Sequence, residues 1–105
     1  MPYFRVLLEG TGIDIPSENN DPPIVGFFTT RIVEASTGAE AESKVKEMIL
    51  SDWSLGKYAE ANIGRLPILS INSVEDSDFF ESLRFKNKGY IFYPQQNDKA
   101  KNIDA

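Results

Sequence analysis

The run Ile24 to Ala35, IVGFFTTRIVEA, constrains the fold more than any other part of the chain. It is dense in β-branched and aromatic side chains, which fit a pleated surface and resist a helix. Alternation places Val25, Phe27, Thr29, Arg31 and Val33 on one face, and Ile24, Phe28, Thr30, Ile32 and Glu34 on the other. A strand with apolar side chains on both faces has to sit in a sheet, and the other segments supply its neighbours.

Tyr3 to Glu9 alternates Phe4, Val6 and Leu8 against Tyr3, Arg5 and Glu9, the pattern of a half-buried strand, with Leu7 as the one apolar residue on the wetter side. Gly10 to Pro23 holds Gly10, Gly12, Pro16, Pro22, Pro23 and the polar run Ser17 to Asp21, and reads as a long mobile loop. Thr37 followed by Glu40 has capping-box spacing. Ala41, Val45, Met48, Ile49 and Trp53 then recur at helical intervals, with Glu40–Lys44 and Glu42–Lys46 on the wet side, which predicts a helix from Gly38 to Asp52. Lys57 to Asn62 can make a further helical turn. Pro67 opens a third strand over Ile68 to Val74, with Leu69 and Ile71 on its apolar face. Ser77 can cap a short helix that folds Phe79, Phe80 and Leu83 down as an apolar wedge. Gly89 to Tyr93 is the fourth strand, stopped by Pro94, and residues 95–105 read as a polar, disordered tail.

The order β-β-α-β-short α-β predicts an α+β fold: a two-layer sandwich of one principal helix on a four-stranded, mainly antiparallel sheet, formed by residues 1–94 as a single domain. At 105 residues there is no room for a second core. No apolar run approaches the roughly 20 residues that cross a bilayer, so a membrane role is not expected. The segment Met1 to Arg5 carries no secretory pattern, and a cytoplasmic setting is expected.

Cysteine and histidine are both absent. That removes disulfides, thiolate nucleophiles, the usual transition-metal ligands and the commonest general base, so neither a cofactor, a metal nor a catalytic set is expected. Sixteen acidic against eleven basic residues give a net charge of -5, which repels phosphate backbones and anionic lipid. Glu75, Asp76, Asp78 and Glu81 are close enough in sequence to suggest calcium, but the spacing is not that of an EF-hand loop, and the dipole of a short helix accounts for Asp76 and Asp78. Gly10-Thr11-Gly12 lacks the lysine and the following helix of a phosphate loop and reads as a turn.

The segment Lys88-Gly89-Tyr90-Ile91-Phe92-Tyr93 resembles the opening of the RNP1 signature of RNA-recognition motif domains, whose aromatics stack on bases from an open sheet face. The first three positions and the fifth agree, whereas Ile91, Tyr93 and Gln95 depart from it. The family's following helix and strand have no counterpart in the polar tail, so the family is not carried over. Arg31 sits on an otherwise apolar row and is expected either on a wet face or in an ion pair with a neighbour such as Glu9. Trp53, Tyr58 and Arg65 gather around the irregular connection; Trp53 belongs to the helix core stripe, while Tyr58 and Arg65 are residue types common in binding hot spots.

The candidate partner-binding residues are therefore Arg31, Tyr58, Arg65, Tyr90 and Tyr93. The expected function is a non-catalytic protein-binding or regulatory module, working through a protein partner or through self-association at an exposed strand edge. The alternative is a small-ligand or single-stranded nucleic acid binder using Tyr90, Phe92 and Tyr93. An enzyme using carboxylate, lysine or tyrosine chemistry ranks last.

Overall fold

The computed structural model describes residues 2–17, 21–84 and 89–95. Its elements are β1 (Tyr3–Ile15), β2 (Ile24–Glu34), α1 (Gly38–Ser54), α2 (Lys57–Ala61), β3 (Ile68–Ser77), α3 (Phe79–Arg84) and β4 (Ile91–Pro94). The strands form one sheet in the order β3-β1-β2-β4, with every neighbouring pair antiparallel. The α+β fold with one principal helix on a four-stranded antiparallel sheet is thus the fold expected from the sequence. β2 and β3 both oppose β1 and so run the same way. α1 joins them across one face, as a crossover between parallel strands requires.

That face holds the core. Val6, Leu8 and Ile13 from β1, Phe27 from β2, and Ala41, Val45, Ile49 and Trp53 from α1 are buried together with Ala35. Met48, expected in the helix stripe, lies at its margin and is exposed. Thr37 caps α1 by accepting from Glu40 N–H at 3.1 Å, while the Glu40 carboxylate reaches back to Ser36 N–H at 3.3 Å. Lys44 and Glu40 form the anticipated i, i+4 pair at 3.5 Å.

The reading of Gly10 to Pro23 as a loop is overturned for its first half, because β1 continues to Ile15. Its two glycines serve the strand. Gly10 faces Phe27 across the ladder, and a Cβ there would lie 2.2 Å from the Phe27 ring, so glycine is what lets the ring lie flat on β1. Gly12, at φ +88°, sits in the register shift between Thr11 and Ile15, a conformation few other residues adopt. The chain resumes pairing with Ile13 buried. Of the expected loop, residues 18–20 lie outside the described residues, as do 96–105 of the expected tail.

β3 runs three residues past the expected Val74, carried by its pairing with Tyr3, Phe4 and Arg5, and a bulge at Asn72 shifts its register. The short helix differs from expectation in two respects. Its cap is Asp78, which accepts from Glu81 N–H at 2.8 Å, whereas the Ser77 hydroxyl donates to the Glu81 carboxylate. Phe79, Phe80 and Leu83 do not form a buried wedge: all three are exposed, with Phe79 edge-on to Tyr3 and to Phe80. The reason is what lies beneath. α3 meets the sheet at Arg5, which bridges Glu75 and Glu81 at 3.3 and 3.2 Å, so a charged contact holds it in place. β4 begins at Ile91, two residues later than expected, and includes Pro94, which an edge strand tolerates. Among the described residues no helix is long and apolar enough to cross a membrane.

Candidate functional site

Alternation in the four strands sends one set of side chains under α1 and the other to the opposite face, which α3 covers at one end only. On that face Leu7 and Glu9 of β1 stand beside Thr30 and Phe28 of β2 and Ile91 and Tyr93 of β4. Phe28 is a ridge between two hollows. One, of about 350 Å³, lies between Leu7, Thr30 and Ile91; the other, of about 450 Å³, is bounded by Glu9, Tyr93, Pro94 and Gln95. Ile91 is 72% exposed at the rim of the first.

Tyr93 lies on the sheet because its ladder partner is Gly26, where a Cβ would stand 2.2 Å from the phenol. From there its hydroxyl donates to Glu9 Oε2 at 2.6 Å, and its ring tilts against Phe28 with 5.6 Å between centroids. Burial, the Glu9 hydrogen bond and the negative charge of Glu9 together push the Tyr93 hydroxyl up to about 12. Among the described residues no basic side chain pairs with Glu9. Glu75 and Glu81, by contrast, share Arg5, and Asp52 meets Arg31.

Three of the remaining candidates, Arg31, Tyr58 and Tyr90, gather on the α1 side of the sheet. Tyr90 and Phe92 join Phe27, Trp53 and Tyr58 in one aromatic cluster, in which Trp53 stacks between Phe27 (5.2 Å) and Tyr58 (5.1 Å) and Tyr90 stands edge-on to both Phe27 and Tyr58. The Trp53 Nε1–H is buried with no hydrogen-bond partner among the described residues. Arg31, its side chain 17% exposed, is the partly buried and paired arginine foreseen as one alternative, but its partner is Asp52 of α1 at 3.7 Å and not Glu9, which points to the other face. Arg31 also donates through Nε to Thr29 Oγ1 at 3.2 Å and lies over the Tyr90 ring at 5.3 Å. Thr29 Oγ1 in turn donates to the Gly89 carbonyl at 3.0 Å, and Tyr90 Oη donates to Asp52 Oδ2 at 2.5 Å. This network ties the entry of β4 to β2 and to the end of α1. Burial first, then the hydrogen bond and charge of Asp52, hold the Tyr90 hydroxyl far above its ordinary value, against the opposing pull of Arg31.

Arg65 is apart from both groups, exposed with its side-chain methylenes beside Gly12. Of the five residues singled out from sequence, the structure brings together Arg31, Tyr58 and Tyr90 inside the fold and leaves Tyr93 alone on the open face. Glu9, Phe28 and Ile91 were not singled out, although the strand alternation had already put Phe28 on the face opposite Phe27. Among the described residues no group of three or more carboxylates is arranged to hold a metal ion. Three of the four carboxylates considered for calcium are engaged instead, Glu75 and Glu81 with Arg5 and Asp78 at the start of α3, while Asp76 lies within β3 opposite Phe4 and not at the helix start expected for it. Comparison with known proteins finds no matching family model, no matching curated protein and no matching solved structure.

Proposed function

We propose that the chain is a non-catalytic protein-binding module of the cytoplasm that docks its partner on the sheet face opposite α1. The observation that carries this reading is the display of large apolar side chains there: Ile91 at the rim of a hollow lined by Leu7 and Phe28, and Phe80 of α3, which is 75% exposed. Exposed apolar surface costs solubility, and a concave patch with aromatic walls is the form that protein hot spots take. The test is capture from lysate of the native host with the full chain, the bound proteins identified by mass spectrometry. Ile91→Glu and Phe80→Glu should each lose the captured partner, while Glu47→Lys, on the exposed side of α1, should retain it. A partner that survives both open-face substitutions would overturn the proposal.

A second reading, a small ligand or single-stranded nucleic acid, draws on the position of Tyr93 on the open face. Its support is thinner, because Tyr90 and Phe92 are engaged under α1 and the Glu9 carboxylate beside Tyr93 repels phosphate. Titration with oligonucleotides at low salt, followed by tyrosine fluorescence, decides it, and a saturable response would move this reading ahead.

A further inference from the structure

The hollow bounded by Glu9, Phe28, Tyr93 and Pro94 joins two properties that the neighbouring hollow between Leu7, Thr30 and Ile91 does not combine. It has aromatic and apolar walls, and it holds a carboxylate with no cationic partner among the described residues. Tyr93 takes one oxygen of that carboxylate, Oε2, and Oε1 has no hydrogen-bond partner among the described residues. A neutral hydroxyl leaves the negative charge in place, and the whole molecule adds to the field with a net charge of -5.

We propose that this hollow receives a lysine side chain from a basic segment of the protein partner, an inference that rests on the open face being the docking surface. The chemistry selects lysine in three ways. An alkyl stem suits the walls made by Phe28 and Pro94, and an ammonium suits the faces of Phe28 and Tyr93, which attract cations. A single free carboxylate oxygen suits a compact point charge better than a guanidinium, whose fork gains most from two oxygens. The choice of one occupant follows from charge complementarity: a second copy of this chain brings the same net negative charge.

The test uses the full chain and three synthetic peptides of identical Gly-Ser framework carrying lysine, arginine or glutamine, with the Phe28 and Tyr93 ring signals followed by NMR. The lysine peptide should shift both rings saturably and the glutamine peptide should not. Glu9→Gln should weaken lysine-peptide binding by roughly five- to tenfold while the thermal midpoint stays close to wild type. Tyr93→Phe keeps the aromatic wall but frees the second oxygen of Glu9, so it should narrow or reverse the preference for lysine over arginine. That switch separates a positioned carboxylate from general acidity. Shifts scattered over the α1 acids, or an unchanged affinity in Glu9→Gln, would overturn the proposal. So would lysine-peptide binding that appears only after Lys99→Gln and Lys101→Gln, which would assign the hollow to the chain's own lysines. If a captured partner depends on Ile91 but not on Glu9, the docking face stands and the lysine assignment falls.

Discussion

Two glycines decide how aromatic rings lie on this sheet, one on each face. Gly10 leaves room for Phe27 under α1 and Gly26 leaves room for Tyr93 on the open side, and in each case a Cβ would lie 2.2 Å from the nearest atom of the aromatic side chain. Gly10→Ala forces Phe27 off its stack with Trp53, and overpacking of this kind costs about 1–3 kcal/mol, read by chemical denaturation. Gly26→Ala displaces a ring at the surface, so its effect on stability should be smaller and its effect on the Tyr93–Glu9 bond larger. Alkaline titration reads that bond. A tyrosine whose folded-state pKa is raised binds its proton more tightly when folded, so the stability it confers is complete below pH 10 and is lost as pH rises toward about 12. Of the four tyrosines, Tyr90 and Tyr93 should ionise last when absorbance near 295 nm is followed, and Glu9→Gln should bring Tyr93 back toward the ordinary value. A Tyr93 that titrates near 10 in the wild-type chain would remove the Glu9 contact from solution.

At the scale of elements, what sequence revealed depended on whether the deciding interaction was local. α1 was legible because Thr37, Glu40 and the buried stripe Ala41, Val45, Ile49, Trp53 lie within one helix. Thr37→Ala removes the capping oxygen and should cost about 1 kcal/mol, measured by denaturation. The second half of β1 was not legible, since glycine and proline density signals a loop, whereas the residue that makes Gly10 a strand residue is Phe27, which is remote in sequence. The same holds for Arg31. Its location on an apolar row was readable, but its partner Asp52 becomes a neighbour only when α1 crosses the sheet. α3 shows the opposite error, where an apolar periodicity suggested burial but the tether proved to be the ion pair of Arg5 with Glu81. Candidate site residues followed this division: Tyr93 was found by residue type, and Glu9, ordinary in sequence, gained its role from a phenol brought across the sheet by β4.

Across the whole molecule the two faces of the sheet carry different kinds of energy. The α1 face buries Val6, Leu8, Phe27, Val45 and Ile49 completely, and its stability comes from apolar area removed from water. The opposite face leaves Ile91 and Phe80 mostly in water, so their burial contributes little to folding and remains available for binding. The faces should therefore separate under substitution. Ile49→Ala opens a cavity in the core and should cost about 2–5 kcal/mol. Ile91→Glu and Phe80→Glu, each at an exposed apolar site, should move stability by no more than about 0.5 kcal/mol in either direction. Denaturant midpoints at constant m-value measure all three on one scale, with a common m-value marking each loss as one of stability and not of compactness. A core-sized loss at Ile91 or Phe80 would make that face part of the folding core and leave the partner with no surface to dock on.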